Sequence, residues 1–286
     1  MTGATGFVGG RLADALAADG VDVRCLVRDR SRASGLPYEL HEGDALDAAS
    51  LRGAGDGVTV AYYLIHAMSG GGDFSAREQQ AARNFARMAR EEGVERVVYL
   101  GGLGEPRSRH LRSRHETALT LAAEGPPLTY FRAAMVVGAE SESFRTLYHL
   151  TKRLPLMIAP AWLRTLTQPI GIDDVITYLR AAPDHEPGEV QIGGPDVLSY
   201  GDMLDAVADS LGRREPVRIP VPLLTPRLSS LWIGLVTPVD ASVAKPLIEG
   251  LSTETLVTDA TAARRFDVDP QPLAATVRAA IRELTA

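Results

Sequence analysis

Apolar positions along the chain follow two rhythms in turn. Short runs rich in β-branched and aromatic residues fall at 21–27, 58–65, 96–100 and 128–137, and between them apolar residues recur every three or four positions. The first rhythm is that of buried strands and the second that of helices with one inward face. Val8, Leu12 and Leu16 form such a stripe at the start of the chain. Within 74–92, Ala81, Ala82, Phe85, Met88 and Ala89 oppose a solvated face of Arg77, Arg83, Arg87 and Arg90. Strands that alternate with helices predict an α/β fold, a doubly wound parallel sheet.

Beyond residue 137 the pattern turns helical. Helices are expected at 143–153, 174–182, 200–211 with Ser199 as cap, 260–265 and 272–284, with short extended pieces at 38–41, 190–192 and 218–222. We therefore expect a sheet domain over 1–182, to which 190–192 adds a strand, and a smaller, mainly helical lobe over 183–286. Residues 223–251 are the most apolar stretch and suit either a buried lobe or a pocket or patch for an apolar ligand.

Composition narrows the function classes. A chain of 286 residues with 45% hydrophobic and 23% charged residues is an ordinary globule with a sizeable core. Its net charge of -6 argues against a nucleic-acid surface. Cys25 is the sole cysteine, so no internal disulfide forms, and a reducing, cytoplasmic setting is expected. No signal peptide or transmembrane segment is expected, since 228–239 is too short to span a bilayer and is broken by proline. No metal centre is expected.

The candidate chemistry begins at Met1-Thr2-Gly3-Ala4-Thr5-Gly6-Phe7-Val8-Gly9-Gly10, a glycine turn that opens a helix. Unsatisfied N–H groups and the positive dipole end of that helix would face an anion, and the glycines would let a pyrophosphate approach the backbone. The octet from Thr2 to Gly9 resembles the cofactor turn of the extended and atypical short-chain dehydrogenase/reductases. A first strand ought to precede Gly3, yet only Met1 and Thr2 stand there. The expectation is that this strand is missing from the given sequence, that the natural chain starts several residues upstream, and that Met1 is the strand's last position.

At the end of the next strand come Arg28, Asp29 and Arg30, with Arg32 close behind. An acidic residue at this place binds a ribose 2′-hydroxyl, whereas an arginine accommodates a 2′-phosphate. NADP is thus favoured, while Asp29 keeps NAD open. Asp44 and Ala45 lie in a segment that resembles the one beside the adenine in that family. Asp44 could accept from the adenine amino group or cap the following turn, a place Asp47 suits better. Leu64 and His66 end a further strand on the ligand side of such a sheet, as does Gly101. The expected cofactor contacts are accordingly Gly3, Thr5, Gly6, Phe7, Val8, Gly9, Arg28, Asp44, Ala45, Leu64, His66 and Gly101.

Catalytic members of the resembled family carry a serine or threonine at the strand end and a Tyr-x-x-x-Lys pair on the next helix. Here Gly101 and Gly102 stand for the serine, and His110-Leu111-Arg112-Ser113-Arg114 stands for the pair. His110 could carry a proton near neutrality and Arg114 could hold ribose hydroxyls. Tyr148 and Lys152 have the right spacing but come one strand too late, so Tyr148, like His66, is held in reserve.

The segments at 62–68, 100–104, 110–114, 131–138, 168–175 and 192–196 together resemble the atypical short-chain dehydrogenase group of bacterial NAD(P)-binding proteins. More distant relatives are the NmrA-like regulators and the nucleotide-binding accessory subunit of respiratory complex I. The resemblance implies a cofactor-binding Rossmann fold of that type; with Arg28 and the apolar stretch 223–251, the function expected is that of an NADP-dependent oxidoreductase acting on a small, apolar or quinone-like substrate. The alternatives are a non-catalytic protein that senses or is built around its dinucleotide, and an assembly factor in peripheral contact with a membrane.

Overall fold

The computed structural model describes residues 1–65, 74–154, 156–220 and 251–286. Strands β1 (Arg24–Val27), β2 (Glu39–Glu42), β3 (Val60–Tyr63), β4 (Arg96–Gly102), β5 (Leu128–Ala133) and β10 (Gly188–Ile192) supply the main layer. β2 pairs with β1, and β3, β4, β5 and β10 follow one another side by side, every pairing parallel. Between β1 and β3 lie Met1 and Thr2. Leu26 N donates to the Met1 carbonyl at 2.8 Å, Thr2 N donates to the Tyr62 carbonyl at 2.9 Å, and Thr2 is fully buried. These two residues hold the central place expected of the first strand, bonded to both neighbours.

Helices cover the two faces, as parallel sheets require. On one face, α1 (Phe7–Ala18) and α5 (Ile172–Ala181) bury Leu12, Val175 and Leu179 against Val98, Leu100 and Phe131. On the other, α2 (Phe74–Glu91) and α3 (Arg109–Glu124) bury Phe85, Ala86 and Leu121 against Val97, Tyr99 and Tyr130. The alternation Val97, Val98, Tyr99, Leu100 along β4 thus feeds both cores.

A third core joins α4 (Glu142–Arg153), α6 (Tyr200–Ser210) and α8 (Leu273–Thr285) through Phe144, Leu147, Leu204, Val277 and Ile281. The Ser199 hydroxyl accepts from Asp202 N and the Asp202 carboxylate answers it, a capping box that starts α6 as expected. The chain crosses between cores more than once. α4 packs into the lobe, whereas β10 and α7 (Thr261–Arg265) return to the sheet, where Phe266 stacks against Phe131 and Tyr178.

One expected strand is interrupted. The run 128–137 splits into β5 and β6 (Val136–Val137), and the β4–β5 ladder ends where Leu103 N donates to the Ala133 carbonyl at 2.7 Å. β6 then pairs with β9 (Ile170–Gly171) instead. The lobe also holds the two-stranded pairs of β7 (Leu156–Ala159) with β12 (Val217–Pro220) and β8 (Leu166–Thr167) with β11 (Leu198–Ser199). Their runs are too brief to leave a period in the sequence. Of the apolar stretch 223–251, all but Leu251 lies outside the described residues.

Candidate dinucleotide site

The glycine turn is shaped by backbone against backbone. Gly3 has φ +72°, and a Cβ there would lie 2.7 Å from the Leu64 carbonyl oxygen. A Cβ on Gly9 would lie 2.0 Å from the Gly3 carbonyl oxygen, so only glycine lets α1 pack this close to the turn. Gly6 N donates to that same oxygen at 2.9 Å and closes the loop. Gly6 is the N-cap of α1 and offers no side-chain cap, so the first-turn amides keep donors for an anion. Thr5 and Gly6 are exposed at the crest. Phe7 and Val8 pack their side chains toward the sheet core, the Phe7 ring lying beneath Gly138, so they can meet a phosphate only through their N–H groups.

At the carboxyl end of β1, Arg28 is exposed and makes no ion pair among the described residues. Asp29 is engaged. Its carboxylate accepts from Ser31 N at 2.8 Å and from the Ser31 hydroxyl at 2.6 Å, and these bonds hold its pKa below the usual range. Arg30 leans on Glu42 at 3.9 Å and Arg32 on Asp29 at 3.8 Å. Asp44 is half-buried, one oxygen accepting from Leu46 N at 2.9 Å, while Asp47 caps the turn at Ala49 as expected. Ala45 is buried, and its carbonyl accepts from Asn84 at 2.8 Å. Leu64 N donates to the Thr2 hydroxyl at 2.8 Å, which brings the end of β3 against the turn. His66 lies outside the described residues.

The end of β4 is shaped by side chains. A Cβ on Gly101 would meet the Tyr130 ring at 2.7 Å and its hydroxyl at 3.0 Å, and one on Gly102 would meet Leu111 at 2.6 Å and Arg114 at 3.6 Å. Ser108 caps α3 and so starts the helix that carries His110 and Arg114 beside these glycines. The Arg114 Nε is buried and has no hydrogen-bond partner. Burial, helped by the Arg114 charge, pulls the His110 pKa down to about 3, which favours the neutral imidazole. Tyr148 and Lys152 do bond to each other, at 3.0 Å, but Tyr148 belongs to the lobe core and not to the core beneath the glycines.

Sequence reasoning missed two residues here. Tyr130 lies on the strand beside β4 and read as plain core. Arg132 spans three chain segments: its guanidinium donates to the Gly102 carbonyl at 3.3 Å and the Gly104 carbonyl at 2.6 Å, and pairs with Glu189 of β10 at 2.7 Å. An arginine flanked by Phe131 and Ala133 in a central strand was the available signal.

A family model described as NAD(P)H-binding matches residues 3–124, from the glycine turn through α3. This segment is similar to NAD(P)H-binding domains. Solved structures extend the likeness of that domain and its lobe to the whole fold. The chain is 18% identical to triphenylmethane reductase of Citrobacter sp., with TM-score 0.77 and 98% of each chain covered. It is 17% identical to an NADPH-dependent quinone oxidoreductase of Escherichia coli, with TM-score 0.75, covering 96% of this chain and 97% of that one. Against UDP-glucose 4-epimerase of Thermotoga maritima the figures are 14% and 0.77, with 99% and 97% covered. No curated protein matches by sequence. The fold is thus the α/β one that these reductases and the epimerase share.

Beyond this domain, the motifs at 168–175 and 192–196 hold the lobe to the sheet. Gln168 donates to the Gly194 carbonyl and accepts from Val257 N, Asp174 accepts from Gln271 N, and Asp196 accepts from Leu273 N at the head of α8. No helix among the described residues is long and apolar enough to cross a membrane.

Proposed function

We propose that the protein is an NADP-preferring oxidoreductase acting on a small, apolar or quinone-like substrate. The observation that carries this reading is the pairing of a backbone phosphate cradle with an unpaired cation at the end of β1. Arg28 stands where a 2′-phosphate would come, and Asp29, which would otherwise receive a 2′-hydroxyl, already holds Ser31. Bound in its reduced form, the nicotinamide supplies a hydride. Gly3, Gly6 and the amides of Phe7, Val8 and Gly9 would hold its pyrophosphate, Thr5 would border it at the exposed crest, and Asp44 retains one carboxylate oxygen for the adenine. Ala45 and Leu64 would contribute backbone contacts, Gly101 would leave room near the nicotinamide, and Arg114 would hold ribose or substrate oxygens. His110, neutral, would donate or accept a hydrogen bond.

Binding of NADPH and NADH followed by calorimetry, then loss of absorbance at 340 nm with 2-methyl-1,4-naphthoquinone and aromatic aldehydes, tests the reading. Tight NADPH binding with turnover is the expected result. Equal affinity for NADH would remove the NADP preference, and tight binding without turnover would favour a second reading, a dinucleotide-sensing protein. That alternative draws on the lack of a serine at 101 and 102 and of a Tyr-x-x-x-Lys pair on α3.

A further inference from the structure

We propose that Tyr130 is the hydroxyl donor of this crevice: its phenol fills the space that a side chain at position 101 would take, and with the half-buried Arg114 guanidinium it binds a carbonyl or carboxylate oxygen of the substrate. This rests on the oxidoreductase reading and names the chemistry its substrate must present. Tyr130 is only 5% exposed and has no hydrogen-bond partner among the described residues. The hydroxyl is not among the fully enclosed, unbonded polar atoms, so it is left open to water or to a ligand. The ring is fixed by stacking on Tyr99, with centroids 5.3 Å apart and planes 19° apart, and that stack aims its edge at Gly101.

The surroundings fit a donor. Burial pushes the Tyr130 pKa up to about 12, against the pull of Arg132 and Arg114 and with the help of Glu189, so the phenol keeps its proton. Arginine offers donors alone, and its Nε here is enclosed and unbonded. Two donors, without an acceptor committed to either, select an oxygen that carries negative charge. Gly101 is then the enabling residue. Serine or alanine there would drive a Cβ into the ring and displace it from this position.

The test is calorimetric titration with benzoate, with and without NADP+, of wild type, Tyr130→Phe, Gly101→Ala and the double variant. Tyr130→Phe is expected to weaken benzoate roughly tenfold, the loss of one charge-assisted hydrogen bond. NADP+ affinity should stay unchanged and the melting temperature unchanged or higher, which a structural tyrosine would not show. Gly101→Ala should weaken benzoate similarly by displacing the ring, and the double variant should add little beyond Tyr130→Phe. Equal benzoate affinity in wild type and Tyr130→Phe, or no benzoate binding by wild type, overturns the proposal. Failure of NADP+ to bind would count against the reading of the glycine turn instead, and the titration without cofactor would still decide on Tyr130.

Discussion

Two glycine clusters face the same crevice and are glycine for different reasons. At 3, 6 and 9 the neighbours are main-chain atoms: the Leu64 and Gly3 carbonyls leave no room for a Cβ at Gly3 or Gly9. At 101 and 102 the neighbours are the side chains of Tyr130 and Leu111. Main chain cannot retreat without unmaking the sheet, whereas a side chain can turn. A site built from backbone is therefore stringent and recurs as a motif, while one built from side chains can be exchanged within a single fold.

That contrast orders the expected effects of substitution. Gly9→Ala should be the most damaging, since overpacking against fixed backbone costs about 1–3 kcal/mol or more. Both melting temperature and NADPH affinity should fall, and a variant that binds NADPH normally would break the distinction. Arg28→Ala should weaken NADPH roughly tenfold through loss of a charge-assisted contact while leaving NADH unaffected, read as two dissociation constants. Gly101→Ala should lower NADPH affinity less than Gly9→Ala, because the Tyr130 ring, unlike main chain, can yield in its place.

A separate effect is expected on acid stability. His110 has a folded pKa near 3 against an ordinary value of 6.5, so between those limits the unfolded chain binds the extra proton. Its contribution is complete above about pH 6.5 and is lost as the pH falls toward 3. His110→Asn should flatten that decline in a series of thermal melts from pH 7 to 4, and an unchanged slope would mean that other groups govern it.

The same contrast explains what could be read in the chain before its structure. Strands and helices of the sheet domain showed themselves because β4 and its neighbours are buried on both faces and α2 has one clear apolar stripe. The turn from Gly3 to Gly9 was legible since its glycines and the helix they open stand together in the sequence. Tyr130 was not, since what distinguishes it from an ordinary core aromatic is the missing side chain at Gly101, 29 positions away. Nor was the neutrality of His110, which depends on how α3 seats against β4. The packing of α4 into the lobe also escaped, because packing partners leave no local period.

Arg132 latches the loop beyond β4 to β5 and β10, with two carbonyls and one carboxylate on a single guanidinium. Three adjacent strand ends are thereby made to move as one plate under the crevice. A plate of this kind cannot mould itself to its cargo, so the shape of what binds above it is set in advance. An engineer who wishes to change the substrate should leave residues 102–104, 132 and 189 alone and remodel the walls, because loosening the plate would blur every substrate alike.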